Sequence, residues 1–131
     1  MSESEEVYPD HVRSADQAAI YRQIKEDGVC PFCPEHFRYH TQPILWESKW
    51  WIVTTNMNPY KGTRIHLLFI LKVHATCLSE IPEGAMEDLL AQACRAAGEY
   101  SIEGAALVLR FGDIRFNGAS VKHIHAHMPV G

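Results

Sequence analysis

The stretch Gly118-Ala-Ser-Val-Lys-His-Ile-His-Ala-His-Met128 carries the reading of this chain. Its last six residues alternate imidazole with apolar side chain. Side chains on a β-strand alternate between faces, so a strand over 121–130 puts His123, His125 and His127 on one face. Ile124, Ala126 and Met128 then share the other, which can pack on a core. Three imidazoles in a row cannot build one. An exposed polar strand face is the bland account, and a tag remnant would not alternate with residues that can pack. A zinc site made of the three histidines is a second account. It is strained, because alternate residues on one strand sit about 6–7 Å apart.

Upstream, Cys30-Pro-Phe-Cys33 can converge two sulfurs on one tetrahedral metal. A redox pair is the rival reading, but this motif precedes a hairpin rather than opening a helix in a βαβ unit. A metal needs two further ligands, for which His36, His40, His74 and one of the three alternating histidines are candidates. Cys77 and Cys94 read as small buried residues.

Around these motifs the periodicity changes twice. Ser14-Ala-Asp-Gln17 is a capping box, and Ala18, Ile20, Tyr21 and Ile24 follow at helical spacing up to Gly28, which predicts a helix over 15–27. Residues 29–42 read as a loop with a chemical purpose. Ile44-Leu-Trp46 and Trp50-Trp-Ile-Val-Thr54 form a predicted hairpin, and Asn56 to Gly62 is turn chemistry. The run 64–72 is a strongly apolar strand suited to the middle of a sheet. Met86, Leu89, Leu90 and Ala93 predict a helix over 83–100, with strands over 105–111 and 121–130 to follow. The expected fold is α+β: an antiparallel sheet of about five strands with an N-terminal helix and one long helix. Residues 1–12 are expected as a flexible lead-in, and 13–131 as a single domain.

Composition sets the outer limits. The chain has 131 residues, 47% hydrophobic and 21% charged, with a formal charge of -4. That is enough chain to bury its own core without staples. The acidic balance excludes a protein that coats a nucleic acid polymer by bulk charge. The most apolar run, Leu67 to Leu71, is strand-sized, so no membrane span is expected. The acidic start lacks the order of a signal peptide, and four cysteines without one point to a reducing compartment, by default the cytoplasm.

The segment 118–127 resembles the signature of the histidine triad (HIT) family, a small-residue turn with a hydroxyl followed by His-φ-His-φ-His. Asn56-Met-Asn-Pro-Tyr60 and His66-Leu-Leu-Phe-Ile-Leu-Lys-Val-His74 are similar to that family's nucleotide-binding stretch. Order and spacing agree over about residues 28–128. The resemblance implies an HIT-like fold and attack of a neutral imidazole on the α-phosphorus of a nucleotide. The nucleotidyl-histidine so formed is then cleaved by water. It makes His125 the nucleophile, His127 a phosphate contact and Ser120 the hydroxyl near the phosphate and leaving group. Asn56 falls where the family contacts ribose, and His66 where an upstream histidine supports the triad. Its zinc-bearing branch implies a closed structural zinc site of Cys30, Cys33, His74 and His123. It also implies a homodimer, for which the apolar strand 105–111 and helix 83–100 can supply the interface.

Between the strand and the triad this chain departs from the family. Arg110-Phe-Gly-Asp-Ile-Arg-Phe-Asn117 lacks the Asn that leads a glycine-rich turn in the best-known branch. Arg110, Arg115 and Lys122 are the cations available to a polyphosphate there, and each reads equally well as surface charge. The implied activity is hydrolysis or nucleotidyl transfer on a nucleoside phosphoramidate, phosphosulfate or (di)nucleoside polyphosphate. The alternatives are a non-catalytic nucleotide sensor and a zinc-stabilised interaction module. A sensor has no need of His125, and a module no need of three alternating histidines.

Overall fold

A computed structural model describes residues 15–119 and 121–131. The expected lead-in, the Ser14 cap and Ser120 lie outside the described residues. Five strands form one sheet: β1 (Ile44–Glu47), β2 (Trp51–Thr55), β3 (Ile65–Leu71), β4 (Val108–Leu109) and β5 (His125–Val130). Their order across the sheet is β1-β2-β3-β5-β4, and every neighbouring pair is antiparallel. Helix α1 spans Ala15–Asp27, α2 Ala85–Glu99 and α3 Ile114–Asn117, with 3-10 turns at Pro34–Tyr39 and Leu78–Glu80. This is the predicted α+β architecture.

The unbroken apolar run of β3 follows from a sheet covered on both faces. On one face Trp51, Val53, Leu67, Phe69 and Leu71 pack with Ala126 and Met128 against Leu89, Ala93 and Ala96 of α2. Full burial of a side chain such as Phe69 contributes about 1.5–3 kcal/mol. Polar bonds set the position of α2. The Trp51 indole N–H donates to the Ala85 carbonyl at 2.7 Å, and Asp88 accepts from the Ser48 hydroxyl at 2.6 Å and the Trp50 amide at 3.1 Å. A carboxylate in the first turn also suits the helix dipole. The opposite face is the one that matters for function. There Ile52, Leu68 and Ile70 meet Ile24 of α1, Phe32, both C-x-x-C cysteines and Val121.

Four expectations change. The strand predicted over 105–111 pairs only at Val108 and Leu109, opposite His127 and Ala126, and residues 103–108 are exposed along the sheet edge. The last strand begins at His125 rather than Val121. Ahead of it, the Ile124 amide donates to Ala75 and its carbonyl accepts from Leu71, so this segment binds the connection leaving β3. The three histidines therefore form no single row: His125 and His127 share a strand face, whereas His123 precedes the strand. Finally, Cys94 is exposed and Cys77 is half-buried. Helix α2 buries Leu89, Ala93 and Ala96, and a second stripe at i, i+4, i+8 (Met86, Leu90, Cys94) faces outward.

Candidate active site and metal centre

Two loops and a strand end bring Cys30, Cys33, His74 and His123 together, with their ligand atoms all within 4.8 Å of one another. Cys30 Sγ lies 3.4 Å from His123 Nδ1, Cys33 Sγ 3.3 Å from His74 Nδ1 and 3.7 Å from His123 Nδ1, and the two Nδ1 atoms are 3.2 Å apart. Ligands held at ~2.0–2.3 Å in a tetrahedron are about 3.3–3.8 Å apart along its edges, so these spacings fit one small dication. The tautomer fits as well. His123 Nε2–H donates to the Leu71 carbonyl at 2.5 Å, which leaves the Nδ1 lone pair facing the sulfurs. Burial pushes the Cys30 thiol up to about 12 and the His123 imidazole down to about 4. The imidazole is therefore in its ligating form, and a thiolate at Cys30 needs a cation beside it. His36 and His40, the other candidate ligands, stand outside this quartet. His40 donates instead to Thr54 Oγ1 at 2.8 Å.

On the same sheet face, His125 and His127 open onto a cleft of about 590 Å³ including its mouth. His125 is 5% exposed, and burial, with a smaller push from the Arg110 charge, holds it down to about 4. Its Nδ1–H donates to the His123 carbonyl at 2.7 Å, so Nε2 carries a lone pair. A neutral, oriented imidazole is what nucleophilic attack requires.

A second chain of bonds fixes His127. The Tyr60 amide donates to His66 Nδ1 at 3.1 Å, so His66 carries its proton on Nε2, which lies 2.9 Å from His127 Nδ1. His127 Nδ1 accepts, and its own proton sits on Nε2. The site thus pairs a nucleophilic nitrogen with an N–H donor on adjacent same-face residues, their rings 4.9 Å apart. The metal quartet supports the first member through the His123 carbonyl.

Asn56 lines the cleft, its amide nitrogen 3.4 Å from His66 Nε2 and its oxygen accepting from the Asn58 amide at 2.9 Å. Of the three candidate cations, Arg110 lines the cleft, while Arg115 is bound to Asp113. Sequence reasoning missed the apolar wall. Phe32, between the two cysteines, sets its ring edge-on to His125 at 4.8 Å. Gln17 and Ile24 of α1 close that side, and their spacing of seven residues on one helix face is the signal available in sequence.

This fold is similar to that of several solved structures. One is a HIT family hydrolase from Clostridium thermocellum: 29% identity over 78% of this chain and 90% of that one, TM-score 0.64. A Zn-bound histidine triad family protein from Mycobacterium smegmatis matches at 25% identity over 78% of this chain and 75% of that one, TM-score 0.59. A histidine triad nucleotide-binding protein from Candida albicans shares the fold at 22% identity over 78% and 75%, TM-score 0.66. No family model and no curated protein matches the chain.

Proposed function

The chain is a histidine triad (HIT) protein in fold and signature, and from that premise we propose that it is a nucleotide hydrolase or nucleotidyltransferase acting through His125. One observation carries this reading: the Nε2 lone pair of a buried, neutral His125, held by the His123 carbonyl, stands beside a second imidazole whose proton is on Nε2. In the proposed reaction His125 Nε2 attacks the α-phosphorus of a bound nucleotide. The N–P bond forms as the bond to the leaving group breaks and its electron pair departs with that group. Water then attacks the same phosphorus, releasing the nucleoside monophosphate and restoring the imidazole. His127 Nε2–H stabilises negative charge on the phosphoryl oxygens, with the Ser120 hydroxyl assigned to the phosphate and leaving group. Asn56 contacts the ribose, His66 holds the tautomer of His127, and the Phe32–Ile24 wall takes the base.

Zinc in the Cys30, Cys33, His74 and His123 quartet would serve structure: when bound it supplies the charge that keeps both sulfurs as thiolates. The Zn-bound relative supports that choice of metal. A reducing compartment such as the cytoplasm keeps the thiol pair available to it. No helix among the described residues is long and apolar enough to cross a membrane.

The test is turnover of adenosine 5′-phosphoramidate, adenosine 5′-phosphosulfate and diadenosine triphosphate, with products and base-quenched protein weighed by mass spectrometry. Adenosine monophosphate as product, and a nucleotidyl adduct on the peptide containing His125, are expected. Tight nucleotide binding with no turnover of any of them would favour the sensor instead.

We also propose a homodimer. Two exposed apolar surfaces need cover: the stripe of Met86, Leu90 and Cys94 on α2, and the β4 edge with Leu107 and Val108. Light scattering should give twice the 14.9 kDa chain mass. Leu90→Glu should weaken the dimer by about 2–4 kcal/mol, the cost of losing a central apolar anchor. A wild-type monomer at micromolar concentration rejects this assembly.

A further inference from the structure

Arg110 follows the short edge strand β4, is half-buried, and lines the cleft together with His125, His127 and Gly118. Its Cζ and Nε lie 3.8 Å from where a Cβ on Gly118 would stand. Gly118 adopts φ +78, so a side chain there would be strained as well as in contact with the guanidinium. Among the described residues no carboxylate pairs with Arg110, and no Asp or Glu lines the cleft. Arg115, another of the candidate cations, is committed to Asp113 in a forked pair. Among the described residues Arg110 is therefore the one uncompensated cation lining the cleft, a planar donor suited to phosphate or sulfate oxygens.

Position gives this cation a role distinct from that of His127. Across the sheet the order runs β3, β5, β4, so His66, then His127 and His125, then Arg110 follow one another at strand spacing. Asn56 stands at the β3 side of that row, bonded to its neighbours at His66. A nucleotide with its sugar at Asn56 and its α-phosphorus at His125 carries whatever lies beyond that phosphorus away from Asn56, toward Arg110.

We propose that Arg110 selects substrates whose leaving group is itself an oxyanion, phosphate or sulfate beyond the α-phosphorus, over substrates that expel an amine. This rests on the reading of His125 as the nucleophile. A guanidinium facing an anionic group gains charge-assisted hydrogen bonds, whereas facing a neutral amine it gains none and stays desolvated.

The experiment compares wild type, Arg110→Gln and Arg110→Lys on diadenosine triphosphate, adenosine 5′-phosphosulfate and adenosine 5′-phosphoramidate. Affinities for ADP and AMP are measured alongside by calorimetry. Arg110→Gln is expected to lose at least ten times more kcat/KM on the two anionic leaving groups than on the phosphoramidate. Arg110→Lys should recover part of that difference. Wild type should bind ADP at least tenfold more tightly than AMP, with the ratio falling toward one in Arg110→Gln. Equal losses on all three substrates would place Arg110 on the α-phosphate and overturn the proposal, as would no loss at all. If wild type turns over nothing, the nucleophile reading fails, and the ADP-to-AMP ratio alone then decides the role of Arg110.

Discussion

His125→Ala is expected to remove nucleotide turnover, lowering kcat/KM on the order of 10⁴–10⁶-fold, the scale at which loss of a nucleophile or its base is felt in other enzymes. The side chain is buried beside Phe32 but contributes no metal-facing atom, so bound zinc and the folded state should persist. That combination separates His125 from its neighbours. His123→Ala should cost metal and folding, because it removes the Nδ1 that faces the two sulfurs. His127→Ala should cost about 2–4 kcal/mol in transition-state stabilisation, the usual effect of losing one aimed donor. His125→Asn controls for packing and should be as inactive as the alanine variant. Steady-state kinetics with circular dichroism and metal analysis on each variant make the comparison. Wild-type turnover by a folded His125→Ala protein would end the nucleotidyl-histidine reading.

Metal removal should have the second large effect. The purified chain is expected to carry one zinc per subunit, and a strong chelator should lower its melting temperature by at least about 10 °C. The scale follows from the loss of several kcal/mol in a domain where each is worth roughly 3–5 °C. The quartet joins residues up to 93 apart in sequence, Cys30 to His123, and no disulfide holds that junction. Without the ion, the buried Cys30 thiol protonates and the loop at 29–33 loses its link to the segment ahead of β5. Cys33→Ser should behave like the chelated protein, whereas His36→Ala should keep its zinc. Plasma emission and differential scanning fluorimetry read the two quantities. A metal-free preparation that melts with the holo protein would remove zinc from the account.

Patterns written in local spacing were legible without the tertiary structure. Alternation at 123–128, the C-x-x-C pair, the apolar run ending in Lys72-Val-His74 and the stripe of α2 each depend on backbone period alone. They were enough for the α+β class, both predicted helices within about two residues, and the two cysteines of the metal quartet, while His74 and His123 were singled out only by the resemblance to the histidine triad family. What depends on partners far along the chain was decided only in three dimensions. His123 leaves the row of histidines because Leu71 and Ala75 hold the backbone of Ile124 and the Leu71 carbonyl takes the His123 Nε2–H. The strand after 105 shortens to two residues, pairing with β5 at His127 and Ala126 alone. Arg110 and Arg115 looked alike in sequence, and the difference is that Asp113 neutralises one while the cleft receives the other. The tautomers of His125 and His127 likewise rest on the His123 carbonyl and the Tyr60 amide, and no side-chain spacing reports the direction of a backbone dipole.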